Sequence, residues 1–256
     1  MWNILEFEEL PSTNTLAAER LARGEARHGD VITARHQTAG RGRSAGRVWN
    51  DSAGDSLLMS IVLTEIPEPA HLLQYRAALA VLHAIRGLNQ EITASDVQLK
   101  WPNDILIHGK KVCGLLTEAQ WNGSAMRSAI VGIGLNVRQH SLPLELSGIA
   151  TSLRKCGIAT TIPEVRTRIL DAVDAELDVS TASAVLTRLR LELAWMSKLP
   201  SLEFTGGDGQ KMSSLHFVGV DGSGAVLLRQ AGGQAMAHHS GSLSWNKIES
   251  LDDKIG

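Results

Sequence analysis

Three arginines and three glycines share the eight positions from Gly40 to Arg47, GRGRSAGR. Glycines let backbone amides come close to an anion, and guanidinium forks match phosphate or carboxylate oxygens two at a time. The segment has the makings of an anion cradle. It lacks the Gly-Lys-Ser/Thr of a Walker loop, and no helix follows directly as a dinucleotide fingerprint requires. By composition alone it reads equally well as a solvated basic loop or a nucleic-acid patch.

Three further segments could join it. Lys100-Trp101-Pro102-Asn103-Asp104 sets a cation, a stiff turn and a carboxylate together where a strand ends. Asp104 could hold a magnesium ion there, although Asn-Asp after proline is also an ordinary turn. Lys111-Val112-Cys113-Gly114 offers a second lysine and a glycine against which a ligand could lie. In Val131–Asn136 two glycines thin an otherwise apolar strand that ends on an amide able to donate and accept.

The elements that must position these residues follow from periodicity. Leu16, Ala17, Leu21 and Ala22 recur at helical spacing behind Ser12-Thr13-Asn14, whose side chains can satisfy free amides at a helix start. Asp30–His36 and Leu57–Thr64 read as strands on either side of the basic loop, and Ala70–Leu88 as a helix. Strands are expected at Val97–Trp101, Asp104–His108, Val112–Trp121 and Met126–Val137, with a hairpin turn at Gly109-Lys110. Helices are expected from Pro163 and over Ala182–Lys198. Because few strands have a helix between them, the sheet should be mixed and mainly antiparallel, an α+β fold. After Pro200 the Gly pairs and short apolar runs change the texture, so residues 1–200 read as the main domain and 201–256 as a small β-barrel domain.

Bulk properties exclude several classes. Lys+Arg 25 against Asp+Glu 27 leaves a net charge of -2, so no global field draws the chain to nucleic acid or an anionic membrane. Cys113 and Cys156 are too few for a disulfide framework, which favours the cytoplasm. The start, MWNILEFEELPST, has no basic and apolar leader, and no apolar run approaches the ~20 residues of a membrane span. Cys113 reads as a small core residue, His238-His239 as surface, Trp49 and Trp101 as walls of a pocket, and Trp195 as core.

Together and in this order, the basic loop, the KWPND segment, Lys111 with Gly114 and the Gly-x-Gly-x-Asn strand resemble the biotin–protein ligase family, over nearly the whole chain. That resemblance implies a class II synthetase-like catalytic core with a small SH3-like barrel. It implies that biotin is activated with ATP and Mg²⁺ and passed as the adenylate to a lysine of a biotin carboxyl carrier protein or carboxylase domain, with no tightly bound metal or prosthetic group. Ser12, Thr13, Asn14 and Gln37 look like the biotin-ring contacts, with Gly40, Arg41 and Gly114 walling the pocket. Arg43 looks like the phosphate-holding arginine, supported by Arg41 and Arg47. Lys111 resembles the lysine between the biotin carboxylate and the α-phosphate. Lys100, Asn103 and Asp104 would shape the triphosphate and magnesium site, and Asn136 resembles the adenine contact. The chain departs from the family in the extra residue at Ser44-Ala45, in Ala150 where some relatives have an adenine-stacking tryptophan, and in Ser240-Gly241-Ser242 where Ser-Gly-Glu is common. Only eleven residues precede Ser12, so no DNA-binding helix-turn-helix and no repressor activity are expected. A homodimer could form through a sheet edge. The rival readings are a lipoate or octanoate ligase or transferase, and a non-catalytic module binding biotin or nucleic acid.

Overall fold

Strand β1 (Asn3–Leu10), helix α1 (Thr13–Ala22) and strand β2 (Asp30–Gln37) open the fold as a crossover, with β1 and β2 paired in parallel from Asn3↔Asp30 to Leu10↔Gln37. The computed structural model describes residues 1–43, 48, 49, 51, 53–179 and 181–245. Parallel pairing needs a long connection, and α1 supplies it. β3 (Ser56–Leu63), β4 (Val97–Lys100), β5 (Asp104–Ile107), β6 (Lys110–Asn122) and β7 (Ala125–Asn136) complete a seven-stranded sheet in the order β1-β2-β3-β7-β6-β5-β4. Every pair other than β1 with β2 is antiparallel. The mixed, mainly antiparallel α+β sheet expected from the sequence is therefore present.

β1 was not expected. Its Glu6, Glu8 and Glu9 break the apolar signal, yet charge suits an edge strand because it discourages pairing with another chain. β3 is the opposite case. All eight of its residues are buried, since elements cover both of its faces, so it reads as a continuous apolar run. The β5–β6 turn lies at His108 and Gly109, with φ of 48° and 69°, one residue earlier than expected. A two-residue hairpin turn of this type needs two consecutive left-handed residues, which moves Lys110 into the strand.

α1 packs on one face of the sheet, where Ala17 meets Ile32, Val62 and Ile130. Helices α2 (Leu73–Arg86) and α3 (Ile162–Leu177) pack on each other, with α2 against β4, β5 and β6 and α3 against β3. α3 starts with Pro163 in its first turn and with Thr161, whose hydroxyl accepts the Glu164 N–H at 3.3 Å. Helix α4 (Ala182–Leu193) continues as a tighter turn over Ala194–Lys198.

The chain divides into two units, Met1–Arg188 and Leu189–Gly256, so the compositional change at Pro200 falls inside the second. In that unit β8 (Leu202–Thr205), β9 (Lys211–Val220), β10 (Val226–Gln230), β11 (Met236–His238) and β12 (Ser242–Ser244) form an antiparallel sheet in the order β11-β10-β9-β8-β12. Leu202, Phe204, Leu215, Val226, Leu228 and Leu243 fill its core, as befits an SH3-like domain. Trp195 is only half-buried and stands edge-on to Trp245, with ring centroids 5.3 Å apart. Among the described residues no helix is long and apolar enough to cross a membrane.

Candidate functional site

Side chains alternate across a strand, so Gly114, Leu116 and Glu118 of β6 share the α1 face with Gly132 and Gly134 of β7 and Ser60 of β3. The two β7 glycines make room. A Cβ on Gly132 would stand 2.2 Å from Asn14 Oδ1, and one on Gly134 would stand 2.7 Å from the Trp49 ring. Their absence lets α1 and the indole lie directly on the strand.

The start of α1 forms the polar end of the cleft. Ser12, Thr13 and Asn14 are each only 4% exposed. Ser12 stands at the N-cap but makes no side-chain cap bond, contrary to the expectation that this cluster caps its own helix. Gln37 does part of that task from β2: its Oε1 accepts the Thr13 N–H at 2.8 Å. Ser12 is thereby left to line the cleft. Ser60 Oγ donates to Asn14 Oδ1 at 2.6 Å and lies 2.7 Å from Thr13 Oγ1. Asn14 Nδ2 donates to Glu118 Oε2 at 2.7 Å and to the Leu116 carbonyl at 3.3 Å.

The basic loop returns on itself: Arg41 bridges Val48, and the Trp49 N–H donates to the Gly40 carbonyl at 3.1 Å. Arg41 Nη2 donates to Glu118 Oε2 at 2.8 Å. Asp51 anchors the returning chain to β2, bonding His36 Nδ1 at 3.0 Å. That hydrogen bond raises the imidazole pKa above its usual 6.5.

Lys111 reaches the cleft through a β-bulge. Ile105 pairs with Cys113 but Leu106 pairs with Lys111, so Val112 is the extra residue. Simple alternation would put Lys111 on the face of Cys113, and the bulge returns it to the face of Asp104. Lys111 Nζ lies 2.6 Å from Asp104 Oδ1 and 5.7 Å from the centre of the Trp49 ring. Lys100 is the register partner of Asp104, so their side chains leave the sheet on the same face. Asn103 Nδ2 is tied to the Leu115 carbonyl at 2.6 Å.

One cleft gathers Ser12, Thr13, Asn14, Gln37, Arg41, Arg43, Asn103, Lys111 and Gly114 from the sequence-derived set, with Trp49 beside them. Lys100, Asp104, Gly40 and Asn136 do not line it. Arg47 lies outside the described residues. Asn136 instead fastens a neighbouring segment: its Nδ2 donates to the Thr151 carbonyl at 3.0 Å and its Oδ1 accepts from Gln139 at 3.3 Å. That segment runs beside the start of β6, where Ala150 bridges Lys111. Trp101 is core rather than wall, 1% exposed with its indole N–H on the Tyr75 hydroxyl at 3.1 Å. Cys113 is wholly buried on the far face, and burial pushes its thiol pKa far up, which removes it as a nucleophile. His238 packs on Phe204 and His239 is exposed, and no cluster of three metal-ligating side chains occurs among the described residues. Sequence reasoning missed Glu118 and Ser60. The signal for Glu118 was its place at alternate residues of one strand after Gly114 and Leu116.

The family model described as the biotin/lipoate A/B protein ligase family matches residues 6–136, which carry this entire cleft. The chain belongs to that family. It is 31% identical over 242 residues to the biotin–[acetyl-CoA-carboxylase] ligase of Paracoccus denitrificans, covering 88% of this chain and 95% of that protein. It is 42% identical over 154 residues to the bifunctional ligase/repressor BirA of Bacillus spizizenii, a match spanning 58% of this chain but only 46% of that protein. The solved structure of the biotin protein ligase from Aquifex aeolicus in complex with biotin and ATP superposes with a TM-score of 0.79 at 26% identity, covering 96% of this chain and all of that one. The family model covers strands of the first sheet only, and the superposition extends to the second.

Proposed function

We propose that this chain is a biotin–protein ligase that forms biotinyl-AMP from biotin and ATP and passes biotin to a lysine of a carrier protein. The observation that carries the reading is a cleft that joins a hydrogen-bonding end to the cationic side chains of Arg43 and Lys111, with Arg41 on the same loop as Arg43. The hydrogen-bonding end suits a ring with a urea group, which presents N–H donors and a carbonyl acceptor, better than a dithiolane, which presents neither. Relatives that bear biotin-ligase names and the Aquifex complex with biotin and ATP support the same assignment.

The chemistry needs no protein nucleophile. A carboxylate and a triphosphate repel each other, so fixed positive charge has to gather around both before they react. In this proposal Lys111 neutralises the biotin carboxylate and the α-phosphate together, with Arg43 on the phosphates. The carboxylate oxygen bonds to the α-phosphorus, the bond to the β-phosphate oxygen breaks, and pyrophosphate leaves. An acceptor lysine amine then attacks the anhydride carbonyl, loses a proton, and AMP departs. Asp104, 2.6 Å from Lys111, would be the carboxylate to help hold a magnesium ion, which would add positive charge to the substrate's phosphates. The reaction is one of the cytoplasm, where ATP and the carrier proteins are found.

The test is incubation with Mg-ATP and either biotin or lipoate, following AMP release, and a streptavidin blot after adding a cell lysate. AMP formed with biotin and a labelled carrier band are expected. Turnover with lipoate alone would overturn the assignment.

A further inference from the structure

Two cations of the cleft stand in ion pairs of similar length with carboxylates beside it, Lys111–Asp104 at 2.6 Å and Arg41–Glu118 at 2.8 Å. They differ in what else the carboxylate holds. Glu118 Oε2 is also the acceptor of Asn14 Nδ2, so one oxygen joins β6, the start of α1 and the basic loop. Asn14 cannot readily turn away, because Ser60 donates to its Oδ1 and the missing Cβ of Gly132 leaves its amide against the strand. A half-exposed pair of two long side chains ordinarily contributes little, since each must be immobilised to make it. Here one side chain is already immobilised by a buried partner, which removes much of that entropic cost.

We propose that Glu118 is a positioning residue that straps the basic loop to the start of α1, so that Arg41 serves as a strut and retention of the adenylate depends on Glu118. Arg41 then brings no free charge to the phosphates. Its charge is balanced by Glu118, and the loop it holds carries Arg43 into the cleft. The inference rests on the ligase reading for its adenylate, but the strap itself is a property of the ligand-free chain.

Two substitutions separate its parts. Glu118→Gln keeps the shape and an acceptor for Asn14 but loses the charge on Arg41, whereas Glu118→Ala loses both bonds. Release of preformed biotinyl-AMP, measured in a chase with unlabelled adenylate, should quicken about threefold in Glu118→Gln and about tenfold in Glu118→Ala, the scale of a typical net hydrogen bond at a partly exposed site. Synthesis of the adenylate at saturating biotin should fall less than release rises, a split that general damage to the fold would not produce. Without ligand, tryptic cleavage after Arg41 and Arg43 should quicken in the same order. Release and cleavage at wild-type rates in both variants would overturn the strap. A wild-type chain that makes no biotinyl-AMP would overturn the ligase reading, and the cleavage rates would still decide the strap. If Glu118→Ala does not fold, the near-isosteric Glu118→Gln carries both measurements.

Discussion

The two faces of the seven-stranded sheet are built from opposite materials. On the α1 face, glycines at 132 and 134, Ser60, and a carboxylate at 118 leave space and polar groups, and the cleft lies there. On the other face, Leu57, Met59, Ile61, Leu63, Ile133 and Leu135 are at most 3% exposed, and α2 and α3 cover that side of the sheet. Charge on that side is tied down in a partly buried network: Arg76 donates to the carbonyls of Glu68, Glu176 and Val179, and Glu176 is held by Arg188 at 2.8 Å. On the ligase reading one face carries the chemistry and the other the stability, so substitutions should separate the two properties according to the face they lie on.

The largest effect should come from Lys111→Ala, which removes the cation assigned to the reacting oxygens. Loss of one such fixed donor lowers the chemical step by about 10²–10³-fold. Adenylate formation should fall by that factor while calorimetry finds biotin still bound at the polar end and melting little changed. An unaltered rate of adenylate formation would remove Lys111 from the chemistry.

Next is Arg76→Met on the opposite face. It keeps the apolar stem but takes the donor from the buried Glu176 carbonyl and from the partly buried carbonyls of Glu68 and Val179, a loss of about 2–3 kcal/mol in a denaturant melt. The rate of adenylate formation by the folded protein should not move. If activity falls in step with stability, the division between the faces fails.

Asn14→Ala should cost less but act on the other property. It removes one partner each from Ser60 and Glu118, so biotin affinity should weaken about tenfold, with the chemical step at saturating biotin much less affected. Equal losses in both parameters would show that the polar end also takes part in the chemistry.

How much of this was legible in the sequence follows from how local each feature is. β3 could be read because burial on both faces makes a run of apolar residues, and α3 because Pro163 and Val165, Ile169, Leu170 and Val173 mark its start and inner face. β1 could not, since its alternation is overwritten by glutamates that an exposed edge tolerates. The basic loop and Lys111 announced themselves by residue type. The bulge at Val112 that turns Lys111 toward the cleft exists only as a register between two strands, and nothing in Lys111-Val112-Cys113 signals it. Ser12, Thr13 and Asn14 resembled an ordinary helix cap, yet Gln37 accepts the Thr13 amide N–H from twenty-four residues away. Glu118 was overlooked for a related reason: its partners, Asn14 and Arg41, lie 104 and 77 residues off.

The smallest effect concerns pH and the anchor of the basic loop. His36 sits at the end of β2, and its bond to Asp51 raises its pKa in the folded chain, whereas the unfolded imidazole titrates at about 6.5. A group whose folded pKa is raised stabilises the fold fully below its unfolded pKa and loses that contribution as pH rises through the folded value. The anchor should therefore be strongest in mild acid and weaken above pH ~6.5. Asp51→Asn should bring the His36 titration, followed by NMR of its ring proton, down toward the unfolded value. The stability difference between wild type and this variant should shrink as pH rises through the same window. A difference that stays constant across that window would mean that Asp51 holds the loop through its second bond, to the Gln37 N–H at 3.4 Å, rather than through the imidazolium.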